Sequence, residues 1–104
     1  MAINLEILTP AQLELEEIAY THLGLVGPLS ARKITNKIYD ALDNLKIFPQ
    51  MGVTCRDKEL RKKGYRMLIC GNYLCFYRLI ENTVFVYHIA DGRIDYPKLI
   101  FDLK

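Results

Sequence analysis

The sequence predicts an α+β fold in which a strand, a two-helix antiparallel hairpin and a three-stranded antiparallel meander follow one another. Three observations carry this prediction. Apolar and polar residues alternate in residues 2–8, two stretches with helical spacing follow, and three apolar segments separated by short turns occupy residues 65–89. A chain of 104 residues has room for one hydrophobic core. We therefore expect residues 1–104 to form one domain, with the helices on one face of the sheet.

The first two elements are a strand and a helix joined by a helix-start pattern. Residues 2–8, AINLEIL, alternate apolar and polar side chains with the period of a strand. Thr9 is expected to cap the helix, with Pro10 in its first turn and Gln12 completing a capping box. Gly24 is its expected end. The apolar face of this helix is predicted to carry Ala11, Leu15, Ile18, Ala19 and His22.

A second helix is predicted after a short connection, so that the two helices form an antiparallel hairpin. Ser30 can cap it, and it must end before Pro49, because a residue that precedes proline disfavours the α conformation. Its apolar residues recur at helical spacing, at Ile34, Ile38, Ala41, Leu42 and Leu45.

The second half of the chain predicts the meander. Seven of the nine residues 56–64 are charged, which indicates a solvated loop. Strands are expected at residues 65–70 and 73–80, separated by the two-residue hairpin turn Gly71-Asn72, and a third strand is expected at residues 83–89.

Counting outwards from two-residue turns predicts which side chains share a face of the sheet. Arg66 lies opposite Tyr77, Tyr77 opposite Val86, and Cys75 opposite His88. One face then carries the polar side chains of a candidate functional patch, namely Arg66, Tyr73, Tyr77 and His88. The other face carries the expected core, namely Met67, Ile69, Leu74, Phe76, Phe85, Tyr87 and Ile89.

Alternatives remain open at this point. A three-residue loop over residues 70–72 would exchange the two faces and place Arg66 beside Phe76. Structural roles are also open, because tyrosine is common on half-buried strands, His88 could be a hydrogen-bonded sheet residue, and Arg66 and Arg78 could pair with nearby carboxylates.

Charge, cysteine content and hydropathy indicate which kinds of protein the chain is not expected to be. A net charge of +2 is too small to indicate nucleic-acid binding by itself. Cys55, Cys70 and Cys75 match no zinc or redox spacing and predict a reduced, intracellular chain. The N-terminus lacks a signal-peptide pattern, and no apolar run approaches the roughly 20 residues of a membrane span. We expect a cytoplasmic protein that does not engage a membrane.

Short motifs then place the chain in a family. The segment from residue 64 to residue 100 resembles the RelE/ParE family of bacterial type II toxin–antitoxin toxins, and the order of the N-terminal elements and IFPQMG at residues 47–52 fit as well. The likeness therefore covers nearly the whole chain. The motifs that carry it are Tyr65-Arg66, Gly71-Asn72-Tyr73, Tyr77-Arg78 and Gly92-Arg93-Ile94-Asp95-Tyr96.

The resemblance implies one of two activities. RelE-like members cut mRNA in the ribosomal A site with basic residues and a tyrosine but no metal, whereas ParE-like members bind DNA gyrase and block it. In both groups a protein antitoxin wraps the toxin and silences it. The resemblance thus implies an antitoxin partner, a hetero-oligomer with it, gyrase or the ribosome with its mRNA as target, and no cofactor. A non-toxic α+β interaction domain is the third interpretation.

The resemblance also suggests functional residues. For a nuclease the candidate catalytic residues are Arg66, His88, Arg93 and Tyr96. For binding of the target or of RNA the candidates are Arg66, Tyr73, Tyr77, Arg78 and Arg93. Leu68 and Leu74 stand near positions where RelE-like enzymes carry cations, and leucine cannot hold a scissile phosphate. We therefore expect a closer likeness to ParE-like members, with inhibition of gyrase and without efficient cleavage of mRNA.

Overall fold

A computed structural model describes residues 2–93 and contains three helices and five strands within that range. No helix in this range is long and apolar enough to cross a membrane. In chain order the elements are β1 (Asn4–Ile7), α1 (Thr9–Leu25), α2 (Pro28–Asn44), β2 (Val53–Thr54), α3 (Lys58–Lys62), β3 (Arg66–Cys70), β4 (Tyr73–Ile80) and β5 (Thr83–Asp91).

The strands form one sheet in the order β1-β5-β4-β3-β2. The predicted strand, helical hairpin and antiparallel meander are confirmed, and the hairpin packs against the sheet. Two features were not predicted. The short strand β2 extends one edge beside β3, and β1 pairs with β5 in parallel rather than antiparallel orientation.

The predicted cap of α1 is wrong by one residue. Leu8 is the N-cap, and no side chain caps the helix, so Thr9 is already helical. Gln12 Nε2 instead donates a hydrogen bond of 3.2 Å to the carbonyl oxygen of Ile7. The helix continues one residue past Gly24, the expected end.

The start of α2 also differs from the prediction. Gly27, with φ of 136°, is the N-cap in place of Ser30, because the chain turns sharply before Pro28. The helix ends at Asn44, before Pro49 as expected. Its predicted apolar stripe is confirmed, since Ile38, Leu42 and Leu45 are buried and Ile34 and Ala41 pack beside them.

The register of the β3–β4 hairpin is the predicted two-residue one. Arg66 lies opposite Tyr77, Leu68 opposite Cys75 and Cys70 opposite Tyr73. A three-residue loop at residues 70–72 is thereby excluded.

The register between β4 and β5 contains a β-bulge next to Phe76 and Tyr77. Tyr77 lies opposite Val86, as predicted, but His88 lies opposite Phe76 rather than Cys75. Tyr87 is the extra residue on β5, and an extra residue shifts every later pair by one position. The predicted pairing of Cys75 with His88 is therefore wrong.

The main core lies between the helical hairpin and the face of the sheet that carries Tyr73 and Tyr77. The prediction that this face is the exposed functional one is wrong. Cys70, Cys75 and the valines of β5 are small enough to let the helices approach closely. The buried sheet residues of this core are Leu68, Cys70, Tyr73, Cys75, Tyr77, Val84, Val86 and Ile89.

A second, smaller cluster covers the opposite face. Phe76 is fully buried there, as expected, together with Cys55, Tyr65 and Ala90. Leu60 of α3 packs into the same cluster, although its segment was predicted to be a solvated loop. Helix α3 therefore covers part of the face that was expected to be the core.

Candidate functional site

Tyr77 and Arg66 hold the loop that follows α2. The buried Tyr77 hydroxyl donates to the Pro49 carbonyl oxygen at 2.8 Å and accepts from the Gly52 amide at 3.0 Å. The Arg66 guanidinium donates to the carbonyl oxygens of Gly52 and Gln50, each at 3.2 Å. Two residues predicted to meet a target thus fix the backbone of the protein's own loop.

The loop that they hold presents large apolar side chains to solvent. Ile47 is 68% exposed and Phe48 is 64% exposed, and both line a shallow surface depression with Met51. Four hydrogen bonds to the loop backbone keep this loop in one conformation. A preordered apolar surface loses little conformational entropy when it binds another protein. The sequence motif IFPQMG marks this loop, but nothing in it indicates which side chains are exposed.

Tyr73 connects the sheet to the helical hairpin. Its hydroxyl lies 3.0 Å from His22 Nε2, and His22 Nδ1 lies 2.9 Å from the Ser30 hydroxyl. Burial raises the pKa of Tyr73, so its hydroxyl remains protonated. This network joins β4 to both helices. It gives Tyr73, predicted to lie on the functional face, and Ser30, predicted to cap α2, a structural role instead.

Arg78 lies on the opposite face, between two aromatic rings. Its guanidinium carbon is 4.6 Å from the Tyr65 ring centroid and 5.1 Å from that of Tyr87. It donates to the Tyr87 hydroxyl at 2.7 and 3.1 Å and to the Lys63 carbonyl oxygen at 3.4 Å. Arg78 therefore fastens the end of α3 to the sheet through cation–π contacts and hydrogen bonds.

His88 pairs with a carboxylate of α1. Its Nδ1 lies 3.1 Å from Glu14 Oε1, which also accepts the Ile89 backbone amide at 2.9 Å. Strand β1 ends opposite Val86, so the rest of this edge of β5 has no neighbouring strand in the described residues. The Glu14 carboxylate accepts the Ile89 amide that such a strand would otherwise pair with. Burial raises the pKa of Glu14, although the amide and His88 oppose this shift. The Glu14–His88 pair therefore covers this edge of the sheet. His88 is a hydrogen-bonded sheet residue, which was one of the two roles left open for it by the sequence.

Arg93 is the exposed member of the candidate set. Its side chain is 65% exposed, and its guanidinium donates to both carboxylate oxygens of Asp91, at 2.9 and 3.0 Å. These bonds lower the pKa of Asp91. Tyr96 lies outside the described residues.

The candidate catalytic groups that the structure describes, Arg66, His88 and Arg93, do not lie together. Arg66 lies opposite Tyr77 and Asp91 lies opposite Tyr73, so about 13 Å of β4 separates the Arg66 pair from the strand end that precedes Arg93. His88 lies between them, and its imidazole is hydrogen-bonded to Glu14.

Leu68 and Leu74, which the resemblance placed near cation positions of RelE-like enzymes, contribute to the packing of the two apolar clusters. Leu68 is buried in the main core, and Leu74 packs against the second cluster. Neither side chain can hold a phosphate.

Other reactive groups in the described range are also inert or scattered. Residues 2–93 contain no group of three or more metal-binding side chains. All three cysteines are buried and free, and burial raises the pKa of Cys75 to about 12. A thiol with such a pKa is not a nucleophile at neutral pH.

The helical hairpin presents a second apolar surface. Leu13, Tyr20 and Leu23 recur on the outer side of α1, and the turn between the helices exposes Leu25 and Val26 by 75% or more. Exposed apolar side chains grouped in this way are typical of surfaces that contact another molecule. The exposed side chains of α1 were not singled out from the sequence, because the prediction for this helix concerned only its buried stripe.

Structures of two toxin–antitoxin systems are among the solved structures that share this fold. The chromosomal ParDE toxin–antitoxin system from P. aeruginosa superposes with a TM-score of 0.73 and 18% sequence identity, over 86% of this chain and 96% of that one. The RelBE2 toxin–antitoxin complex from Mycobacterium tuberculosis superposes with a TM-score of 0.64 and 18% identity, over 88% and 99%. No curated protein sequence matches the chain. The fold is thus that of the RelE/ParE class.

The sequence comparison defines the family within that class. The family model for the ParE toxin of the type II toxin–antitoxin system parDE matches residues 5–96. This chain belongs to the ParE toxin family.

Proposed function

We propose that this toxin inhibits DNA gyrase by binding it and does not cut mRNA. The proposal rests on one observation. The described candidate catalytic residues lie too far apart to act on one phosphate. Cleavage without a metal requires a base at the 2′-hydroxyl, cations at the phosphate and an acid at the leaving oxygen, all around one phosphodiester. Here Arg66, His88 and Arg93 are spread along the sheet, and each is bonded to a protein group.

The features that remain suit recognition of a protein. Exposed apolar side chains on a fixed loop and an exposed arginine at the end of β5 are the residue types that dominate protein interfaces. Membership of the ParE family supports gyrase as the protein that is recognised.

A supercoiling assay with purified gyrase, run beside a primer-extension map of transcripts after induction, tests the target. We expect inhibition of supercoiling and no breaks at codons. Arg93→Ala should weaken inhibition about 10-fold or more, as loss of an interface arginine often does, whereas Arg32→Ala on the exposed side of α2 should have little effect. Codon-linked breaks that disappear in Arg66→Ala or Arg93→Ala would assign the nuclease activity instead.

A protein antitoxin is the proposed partner, and it covers the apolar surface of the helical hairpin. The similar structures from P. aeruginosa and M. tuberculosis are both of toxin–antitoxin systems, which supports a partner of this kind. A segment that folds on binding can bury a large apolar area and still be removed.

Growth of cells that express the chain tests this partner. Expression alone should arrest growth, and co-expression of the antitoxin should restore it. Tyr20→Ser with Leu23→Ser should remain toxic but escape neutralisation, because both side chains lie on the hairpin surface. The matched pair Leu79→Ser with Ile80→Ser, exposed at the end of β4, should still be neutralised. Normal growth with abundant folded protein would contradict the assignment as a toxin.

A further inference from the structure

Helix α3 and the residues on either side of it concentrate positive charge on one side of the molecule. Residues 56–63 carry five cationic and two acidic side chains, whereas the whole chain has a net charge of only +2. Arg56, Lys58, Arg61 and Lys62 are all exposed. We call these four residues the α3 cationic surface.

The four cationic side chains of this surface have no partner among the described residues. None of its four side chains forms an ion pair or hydrogen bond with another described residue. Lys58 and Lys62 are four residues apart and so share one side of α3, pointing away from the buried Leu60. Of the two acids, Asp57 is occupied as the N-cap, where its carboxylate accepts the amides of Glu59 and Leu60.

The helix is held firmly, although it is only five residues long. Leu60 is fully buried between α3 and the sheet, and its carbonyl oxygen accepts the Tyr65 amide at 3.0 Å. Arg78, fixed between two tyrosine rings, donates to the carbonyl oxygen of Lys63 at the C-terminal end. The cationic side chains therefore project from a fixed backbone, which lowers the entropic cost of binding.

The side chains near α3 in the sequence indicate whether its cations suit an acidic protein or the phosphates of a nucleic acid. Protein interfaces have apolar centres, whereas nucleic-acid interfaces are more polar and more positive. The large exposed apolar side chains of the described residues lie on the helical hairpin, the loop at residues 47–53 and the strand ends, and none lies between residues 54 and 68. Within residues 54–68 an acidic peptide would find no exposed apolar anchor, and a phosphodiester backbone needs none.

We propose that the α3 cationic surface binds the phosphate backbone of a nucleic acid without reading its sequence. This activity goes beyond inhibition of gyrase and does not depend on that proposal. Each cation that neutralises a phosphate releases condensed counterions, so binding must weaken steeply as salt rises.

Fluorescence anisotropy with the full-length chain tests this proposal. The probes are a labelled DNA duplex of about 20 base pairs and a labelled RNA hairpin of similar phosphate number, titrated at several salt concentrations between about 50 and 200 mM. The triple variant Lys58→Gln, Arg61→Gln, Lys62→Gln should reduce the slope of log K against log[salt] by up to about 3, since each lost contact is worth roughly 0.9 on a duplex.

A matched control has the same change of charge on another surface. Arg32→Gln, Lys33→Gln, Lys37→Gln removes one arginine and two exposed lysines from α2 and should leave the slope nearly unchanged. The probe that shows the α3-dependent slope identifies DNA or RNA as the source of the phosphates. Equal losses in both triples, or no binding to either nucleic-acid probe at low salt, would overturn the proposal. Labelled polyglutamate is titrated as a third polyanion, and binding to it without binding to the nucleic acids would overturn the proposal as well. Thermal melting by circular dichroism checks that both triples remain folded.

Discussion

Replacing Tyr77 by phenylalanine removes one oxygen atom from the centre of the molecule. The ring is fully buried, and its hydroxyl makes two hydrogen bonds with the backbone of the loop after α2, one to Pro49 and one from Gly52. Had Tyr77 stood on an exposed face, the substitution would leave stability nearly unchanged. In its buried position we expect clear destabilisation.

The size of the effect follows from the two partners. Gly52 is buried, so its amide loses its acceptor without access to water, at a cost of about 1–3 kcal/mol. Pro49 is half-buried, and loss of the bond to its carbonyl oxygen costs about 1 kcal/mol. The expected loss of about 2–4 kcal/mol corresponds to a decrease in Tm of roughly 10–30 °C for a domain of this size.

Urea denaturation and thermal melting of purified wild type and Tyr77→Phe measure this loss. Tyr20→Phe is the control, because Tyr20 is 75% exposed and its hydroxyl has no such role, so its stability should change by less than about 0.5 kcal/mol. Limited proteolysis should cut Tyr77→Phe first near residues 47–52. If Tyr77→Phe melts with the control, the hydroxyl does not hold the loop and the argument for a preordered surface fails.

Three further outcomes follow from particular contacts. Gly52→Ala should destabilise the fold by about 1–3 kcal/mol in urea denaturation, because its Cβ would lie 2.7 Å from the Tyr77 hydroxyl and 2.9 Å from a backbone oxygen; unchanged stability would contradict this packing. Burial raises the pKa of Glu14 above its ordinary 4.5, so its carboxyl stabilises the fold below that pH and the contribution is lost as pH rises through the folded pKa. The unfolding free energy of wild type minus that of Glu14→Gln should therefore fall as the pH rises from about 4.5 through the folded pKa of Glu14, and a rise over that range would refute the assignment. Arg93→Gln should raise the pKa of Asp91 towards 3.8 in an NMR titration, and an unmoved value would mean that the ion pair does not form in solution.

Much of the fold could be predicted from the sequence, because it depends on local patterns. The stripe that contains Ile38 and Leu42 indicated α2, and Gly71-Asn72 fixed the register of β3 with β4. The bulge at Tyr87 could not be predicted, since no residue type marks it, and it moved His88 by one pair. Helix α3 was missed because five charged-rich residues give a single apolar position, Leu60, to indicate its buried side.

The candidate site was harder to predict than the fold, because both faces of the sheet are apolar enough to be a core. Tyr73 and Tyr77 were assigned to an exposed face on account of their hydroxyls. Each hydroxyl has a partner that is distant in sequence, His22 in one case and the loop at residues 49–52 in the other. The pattern of a single sequence does not indicate such partners. A polar side chain that forms hydrogen bonds in the core therefore cannot be told from one that binds a ligand.

The parallel pairing of β1 with β5 has a consequence for how the toxin is made. Asn4 lies opposite Thr83, so the first strand of the described residues pairs with the last one among them, and α1 also packs on β5. Contacts this far apart in sequence form late, because they close a loop of nearly the whole chain. A chain interrupted before residue 83 lacks the strand on which its own N-terminal elements rest. Toxicity should therefore require synthesis through β5, and a nonsense codon before residue 83 should silence the protein.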